Sequence, residues 1–345
     1  MKQYKLSPDI SRVLKYRSSL KFQDIDLQSV QSIRDFNERT FRHSFAFKRL
    51  YRPVKNGISR ASYIIPVENG DSVSGVLFKR EKSRLSDPAS LIIYLHDGGW
   101  IKGNMEIACA ICSNICNVTG SAVLALDYRL APDFKFPVPV HDCHDAFLWA
   151  YQGAKYWKLD PSKIFFMGCG SGANLAIAAS RLARDRNEAK PAGLILIDPI
   201  TDCRLRTSSL EEFTDNPFLT EKEVALYVKN YQREPKDILD PLFSPLVAKD
   251  NSRLPDTLIF AAERNPLFDD AKIFSEVLEE SDVPVNFMVG KEKYHCFMNY
   301  PSTSGWFDRM MCISDFINGQ KVTSIKLLTK KERFTSKKSR ILLVQ

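Results

Sequence analysis

Short, almost wholly apolar runs recur along the chain and alternate with longer segments of helical periodicity. The candidate strands are 63–67, 74–78, 91–95, 122–127, 164–167, 194–197, 257–261 and 285–289. The candidate helices are 105–119, 143–155, 172–183, 220–231, 269–281 and 305–317. Apolar strands that alternate with helices predict an α/β fold with a doubly wound, largely parallel sheet between two helical layers.

The first 50 residues differ from the rest, because they are polar and show helical rather than strand periodicity. Leu27, Val30, Ile33 and Phe36 recur near a helical interval, which indicates one packed face. We therefore divide the chain into an N-terminal helical segment (1–50), an α/β domain (51–320) and a C-terminal tail (321–345).

The net charge of +8 is concentrated at the C-terminal end. Residues 321–345 hold eight Lys and Arg against one Glu, so the body of the protein is close to neutral. A tail of this charge is suited to contacts with acidic surfaces, although a solvated chain end is the simpler interpretation. We expect no nucleic-acid partner.

The cysteines and the apolar runs indicate where in the cell the protein is located and whether it binds a metal or cofactor. The eight cysteines form no zinc-type pairs of pairs, and Cys109, Cys112 and Cys116 share a helical face without a nearby histidine. A core face explains these three better than a metal site, so we expect no metal and no cofactor. Free thiols predict a cytoplasmic protein. No apolar run suggests a secretion signal or a membrane span.

Two glycine-rich turns after candidate strands carry the chemistry. The first is 96–100, in which Gly98 and Gly99 follow His96 and allow backbone N–H groups to point at a ligand, as an oxyanion hole requires. The second is 168–172, which lies between a strand and a helix, the setting of the G-x-S-x-G nucleophile turn. Asn265 and His295 follow two later strands, so nucleophile, acid and histidine positions come in the α/β-hydrolase order.

From about 63 to 316 the chain resembles the hormone-sensitive-lipase-like branch of the α/β-hydrolases, which includes acetyl esterases and arylacetamide deacetylases. Seven family segments are matched in order along the chain. They are HGGG(F/W) at 96–100, DYRLAP-x₃-FP at 127–137, GDSAGGNLA at 168–176, FLT at 218–220, D-P-x-x-S-P at 240–246, AE-x-DPLxD at 263–269 and H-G-F at 295–297. The resemblance implies an α/β-hydrolase fold with an N-terminal helical cap and carboxylic-ester substrates. The implied pocket lies between the cap, Trp100, Gly170 and His295. Trp100 and Phe218 are candidates for its apolar wall, with core packing as the alternative.

The departures from the family pattern fall on the reacting groups. Without a gap, Gly170 stands at the nucleophile position and Asn265 at the acid position, while His295 is kept. Asp97 and Cys296 replace two further glycines. The resemblance leaves the N–H groups of Gly98, Gly99 and Ser171 as oxyanion donors.

Two other residues compete for the role of nucleophile. Ser171 needs a register in which Cys169 and Ala173 take the flanking glycine positions. Cys169 precedes the apex of the turn and would point away from the site. In a serine protease, loss of the acid costs about 10⁴ in turnover, and loss of the serine in subtilisin about 2 × 10⁶.

Two hypotheses about function follow. The first is a degenerate or weakly active esterase that keeps a pocket for a small acyl-ester or carboxylate ligand, as the related plant gibberellin receptors suggest. The second is an active hydrolase that uses Ser171, or water activated by His295. By family analogy, a homodimer through the edge strand is possible.

Overall fold

The computed structural model describes residues 11, 29–43, 51–81, 89–214, 216–303 and 305–322. Its strands are β1 (Ile58–Pro66), β2 (Ser72–Arg80), β3 (Ala89–Leu95), β4 (Ala122–Asp127), β5 (Leu159–Cys169), β6 (Gly193–Ile197), β7 (Asp256–Arg264) and β8 (Val285–Tyr294). Its α-helices are α1 (Val30–His43), α2 (Met105–Thr119), α3 (Val138–Gly153), α4 (Ser171–Asp185), α5 (Ser208–Glu212), α6 (Glu221–Tyr231), α7 (Phe268–Glu280) and α8 (Trp306–Ile317).

The eight strands form one sheet in the order β1-β2-β4-β3-β5-β6-β7-β8. The β1–β2 and β2–β4 pairs are antiparallel, and all the other pairs are parallel. The predicted α/β fold with a mostly parallel sheet is therefore confirmed. The parallel strands all point their carboxyl ends to one edge, where ligand sites of open α/β sheets form.

Alternate side chains of the central strands feed two separate apolar cores. On β3, Leu91, Ile93 and Leu95 face one core, whereas Ile92 and Tyr94 face the other. Helices α3, α4 and α7 cover the first face, and α2 and α8 cover the second. Because both faces are covered, the strands are apolar without alternation.

Local signals explain where several helices begin and end. The Asn104 side chain accepts the Ile107 N–H at 3.0 Å to start α2, and Gly120 ends it in the left-handed conformation. Helix α3 begins at Val138, five residues earlier than predicted, because Pro139 suits a first helical turn. Strand β8 runs to Tyr294, past the predicted end at 289, so His295 follows the strand directly.

Helix α1 makes up most of the described part of the predicted N-terminal segment. Ile33 is buried in the core, and the Arg34 side chain donates to the backbone oxygens of Ile101 and Ala131 at 2.7 and 2.8 Å. These contacts tie α1 to the loops after β3 and β4. Leu27 and most of the predicted tail, 323–345, lie outside the described residues. Within those residues, no helix is long and apolar enough to cross a membrane.

Candidate active site

Gly170 lies at the apex of the turn between β5 and α4. Its backbone angles are φ 53° and ψ −114°, and its N–H donates to the Ile197 oxygen at 2.9 Å. This conformation is strained for any residue with a Cβ, and glycine adopts it at little cost. The turn therefore has the sharp strand-to-helix geometry of a nucleophile elbow.

The glycines on either side of Gly170 allow close backbone approach. A Cβ on Gly168 would lie 2.3 Å from the Gly172 carbonyl carbon, and a Cβ on Gly172 would lie 2.2 Å from the Leu95 oxygen. Both positions are thus restricted to glycine, which favours the register with Gly170 at the apex. Ser171 is instead the first residue of α4. Its hydroxyl is buried near Tyr128 and makes no hydrogen bond to His295.

The loop after β3 also depends on glycine. Gly98 and Gly99 have φ of 141° and 61°. A Cβ on Gly98 would lie 1.9 Å from the Lys102 oxygen, and one on Gly99 would lie 2.2 Å from the Tyr227 ring. The preceding His96 is buried and stacks on Tyr128 with ring centroids 4.3 Å apart. The loop is therefore held in one conformation by its neighbours.

The Asp97 side chain extends from this loop into the space beside Gly170. A Cβ on Gly170 would lie 2.3 Å from Asp97 Oδ1. The Gly98 N–H, one of the candidate oxyanion donors, helps to lower the pKa of the Asp97 carboxylate. The carboxylate thus lies where a nucleophile side chain and an oxyanion would meet.

His295 faces this carboxylate. Its Nε2 lies 3.5 Å from Asp97 Oδ2, and its Nδ1 is buried without a hydrogen bond among the described residues. Burial lowers the pKa of His295, but Asp97, Asp198 and Glu223 together raise it above its ordinary value. Burial raises the pKa of Asp97, but His295 and the Gly98 N–H hold it below its ordinary value. The geometry therefore favours an imidazolium–carboxylate pair.

Asn265 is fully buried after β7, but it does not orient the histidine. Its Oδ1 accepts the Leu267 N–H at 3.2 Å. Its amide also lies beside Asp198, where it favours the ionised carboxylate, although Nδ2 has no hydrogen bond of good geometry in the described structure. An acid that orients Nδ1 of His295 is thus absent from position 265.

Sequence reasoning missed Asp198, a buried carboxylate that is hydrogen-bonded to the backbone of the strand and loop next to His295. Its two carboxylate oxygens accept the N–H groups of Ala262 and Cys296, each at 2.7 Å. Burial raises its pKa, against the opposing effect of His295 and these N–H groups. The sequence signal for it is an aspartate directly after the apolar run 194–197.

The expectation of free thiols is wrong for one pair of cysteines. Cys169, before the apex, and Cys296, after His295, form a disulfide across 127 residues of sequence. Cys169 therefore offers no thiolate while the bond is intact. The other six cysteines are free and buried, and Cys109, Cys112 and Cys116 pack in the core as expected. The sequence signal for this disulfide is that Cys296 replaces the glycine of the family's H-G-F segment.

The two proposed wall residues both pack against other aromatic rings. Trp100 is fully buried and stacks on Tyr231 at 4.4 Å between ring centroids. Phe218 contacts Tyr294 at 5.3 Å and belongs to the same apolar cluster as Cys169 and Cys296. These ring contacts are those of residues packed in the core, which was the alternative to a role in the pocket wall for both residues.

A cavity of about 410 Å³ lies between α1 and the loop that follows Trp100. Its lining is mostly charged or polar and includes Arg34, Glu38, Lys102, Asn104 and Glu106. The Lys102 backbone packs against Gly98, so the cavity adjoins the loop of the candidate site.

Comparison with known proteins agrees with this architecture. The sequence profile of the alpha/beta hydrolase fold family matches residues 92–299. An arylesterase of Saccharolobus solfataricus is 37% identical over 215 residues, which cover 62% of this chain and 70% of the relative. An ethyl acetate hydrolase of Pseudomonas putida is 32% identical over 220 residues, 63% of this chain and 69% of the relative.

The similarity extends to solved structures. An esterase of Pyrobaculum calidifontis superposes with a TM-score of 0.81 at 26% identity, covering 92% of this chain and 100% of that one. Fold, motif order and sequence similarity agree, and the chain therefore belongs to the alpha/beta hydrolase family, in its carboxylesterase-like part.

Proposed function

We propose that this protein is a degenerate member of its family, without a working Ser-His-Asp triad. Gly170 takes the nucleophile position, Asn265 takes the acid position, and His295 is the triad residue that remains. The observation that carries the proposal is the Asp97 carboxylate, which lies beside Gly170 and faces His295 Nε2 at 3.5 Å.

The chemistry of this arrangement is unfavourable for ester hydrolysis. A general base must be neutral, whereas the carboxylate at Nε2 favours the protonated imidazole. An oxyanion at the Gly98 N–H would also lie near the Asp97 carboxylate, and the two negative charges repel each other. These effects argue equally against hydrolysis by a water molecule that His295 activates, which is the form of the active-hydrolase hypothesis that needs no serine.

The protein keeps features suited to ligand binding. The cavity beside the candidate oxyanion loop carries two cationic side chains, Arg34 and Lys102, alongside Glu38 and Glu106. Relatives named for arylester and ethyl acetate hydrolysis suggest the ligand class. We propose a small acyl-ester or carboxylate ligand that is bound and turned over slowly or not at all. The cytoplasmic location and the homodimer stay predictions.

The decisive experiment compares p-nitrophenyl acetate and butyrate hydrolysis by the wild type and by Ser171→Ala. We expect both proteins to show the same low turnover, and a fluorophosphonate probe to label neither. Ser209→Ala is a matched control, because Ser209 is a buried serine that bonds to the Pro266 oxygen outside the site. Robust turnover that is lost only in Ser171→Ala, with labelling at Ser171, would overturn the proposal.

A further inference from the structure

Four side chains with metal-ligating atoms converge beside the elbow. One ligand atom each from Asp97, Cys169, His295 and Cys296 lies within 4.8 Å of all the others. Three of the four residues are buried, and the Asp97 side chain is 29% exposed. We propose that these four residues form a binding site for a zinc-class divalent cation once the Cys169–Cys296 disulfide is reduced.

Two distances to the Asp97 carboxylate are close to those of such a site. His295 Nε2 lies 3.5 Å from Asp97 Oδ2, and Cys296 Sγ lies 3.2 Å from the same oxygen. With zinc–sulfur bonds of about 2.3 Å and zinc–nitrogen and zinc–oxygen bonds of about 2.0–2.2 Å, tetrahedral ligand atoms stand about 3.3–3.8 Å apart. The two bonded sulfurs must move apart before both can bind one cation, which reduction of their bond allows.

The ligand types favour zinc over harder cations. Two thiolates and one imidazole are typical of zinc, whereas magnesium and calcium prefer sites made only of oxygen ligands. Four protein ligands also complete a tetrahedral shell and leave no open position for an ester. The proposed cation is therefore structural, and the site goes beyond the proposed function without depending on it.

The surroundings hold the ligands in place and favour their negative charge. The Cys296 N–H donates to Asp198 at 2.7 Å, which helps to hold Cys296 in its left-handed conformation. Cys169 lies two residues before the first residue of α4, a helix of 15 residues whose N-terminus favours anionic groups. Two thiolates and one carboxylate carry three negative charges, which a divalent cation reduces to one.

Reduction and binding are separate, balanced steps. A phosphine takes up the oxygen of one water molecule and delivers two electrons and two protons to the disulfide, giving two thiols. Binding of Zn²⁺ then releases both thiol protons and the Nε2 proton of the His295 imidazolium, because the ligands are two thiolates and a neutral imidazole. Reoxidation to the disulfide removes two of the four ligands, so the site binds zinc only in the reduced protein.

The first test measures zinc per chain in the full-length protein without mutation. Phosphine-reduced and oxidised samples are mixed with excess Zn²⁺, freed of unbound metal by gel filtration, and analysed by elemental mass spectrometry. We expect one zinc per reduced chain and none above background in the oxidised sample. Equal zinc contents in the two samples, whether one or none, would overturn the proposal.

The second test assigns the ligands. Cys169→Ser and Cys296→Ser should each weaken zinc binding at least 100-fold and lower the intensity of the thiolate charge-transfer band of the Co²⁺ form. His295→Ala and Asp97→Asn leave both cysteines intact, so they keep the test informative if a serine variant misfolds. Both should also weaken binding, by 10-fold or more.

Cys312→Ser is the matched control, because Cys312 is a buried cysteine of α8 outside the cluster. It should bind one zinc with wild-type affinity when reduced. Circular dichroism of every variant checks that it is folded. Folded variants at all four positions that keep wild-type zinc affinity would show that the metal binds elsewhere and that the proposal is wrong.

Discussion

The Asp97 carboxylate occupies the space into which a side chain at Gly170 would extend. A Cβ on Gly170 would stand 2.3 Å from Asp97 Oδ1, which is well inside van der Waals contact. The two residues come from different loops, after β3 and β5, and both depart from the family pattern. Their substitutions therefore fit each other: an aspartate on one loop is compatible with glycine, and with no larger residue, on the other.

This contact predicts that Gly170→Ala destabilises the protein by about 2–4 kcal/mol, through positive φ and the clash together. Gly57→Ala is the matched control, because Gly57 has φ +75° and nothing within 4 Å of a Cβ, so it should cost only about 1–2 kcal/mol. In the Asp97→Gly background, Gly170→Ala should lower the free energy of unfolding by less than it does in the wild type, whereas the effect of Gly57→Ala should be unchanged. Urea unfolding of each single and double variant measures the coupling, and additive effects of Asp97 and Gly170 would contradict the prediction.

With the proposed loss of the triad, the same contact predicts which substitutions an active esterase needs. Gly170→Ser with Asn265→Asp should remain poorly active, because Asp97 still crowds the serine and pairs with His295. Adding Asp97→Gly should raise p-nitrophenyl ester turnover roughly 10³-fold or more above wild type, since serine loss in a related chemistry costs about 10⁶.

The control for this restoration is Asp97→Gly alone, which lacks a nucleophile and should stay inactive. A fluorophosphonate probe should label the triple variant at position 170 only. If the triple variant folds and remains as inactive as the double variant, Asp97 is not the obstacle.

The disulfide predicts a redox-dependent stability. It closes a segment with a sequence separation of 127 residues, so its loss should lower the free energy of unfolding by about 2–4 kcal/mol. In the presence of a metal chelator, a reductant should lower the urea midpoint of the wild type. The double variant Cys169→Ala with Cys296→Ala should show the lower midpoint with or without reductant. Equal midpoints for oxidised and reduced wild type would refute this expectation.

Asp270 predicts a pH dependence of stability. Its carboxylate accepts the N–H groups of Thr201 and Asp202 at 2.7 and 2.8 Å, yet complete burial raises its pKa to about 7. The unfolded carboxyl has a pKa of about 3.9, so between these values the folded state binds the proton more tightly. Its contribution to stability is therefore full below about pH 4 and is lost as the pH rises towards 7.

Urea unfolding between pH 4.5 and 7.5 checks this sign. Asp270→Asn should be less stable at low pH than the wild type, and it should lack the part of the decline that Asp270 causes. Asp256→Asn, at an exposed position, should keep the wild-type profile. An identical slope in wild type and Asp270→Asn would show that another group is responsible.

Most of the secondary structure followed from local patterns. The limits of β4 and α2 agree with the sequence prediction, because an apolar run and a helix with clear capping residues are determined by neighbouring residues alone. The start of α3 and the end of β8 were misplaced. In those regions a proline in a first turn and a polar strand end such as 290–294 give weak local signals.

The sequence alone determined the family and the order of its motifs along the chain, and it predicted that Gly170, Asn265 and His295 stand at the triad positions. Those follow from short motifs whose spacing is read along the chain. Only the tertiary structure decided that Asp97 lies against Gly170 and His295, that Asp198 supports Cys296, and that Cys169 meets Cys296. These partners are up to 198 residues apart (Asp97 and His295), and their contacts arise because parallel strands end at one edge of the sheet. No local pattern encodes such contacts, so the meaning of the substituted motif depends on the fold that brings them together.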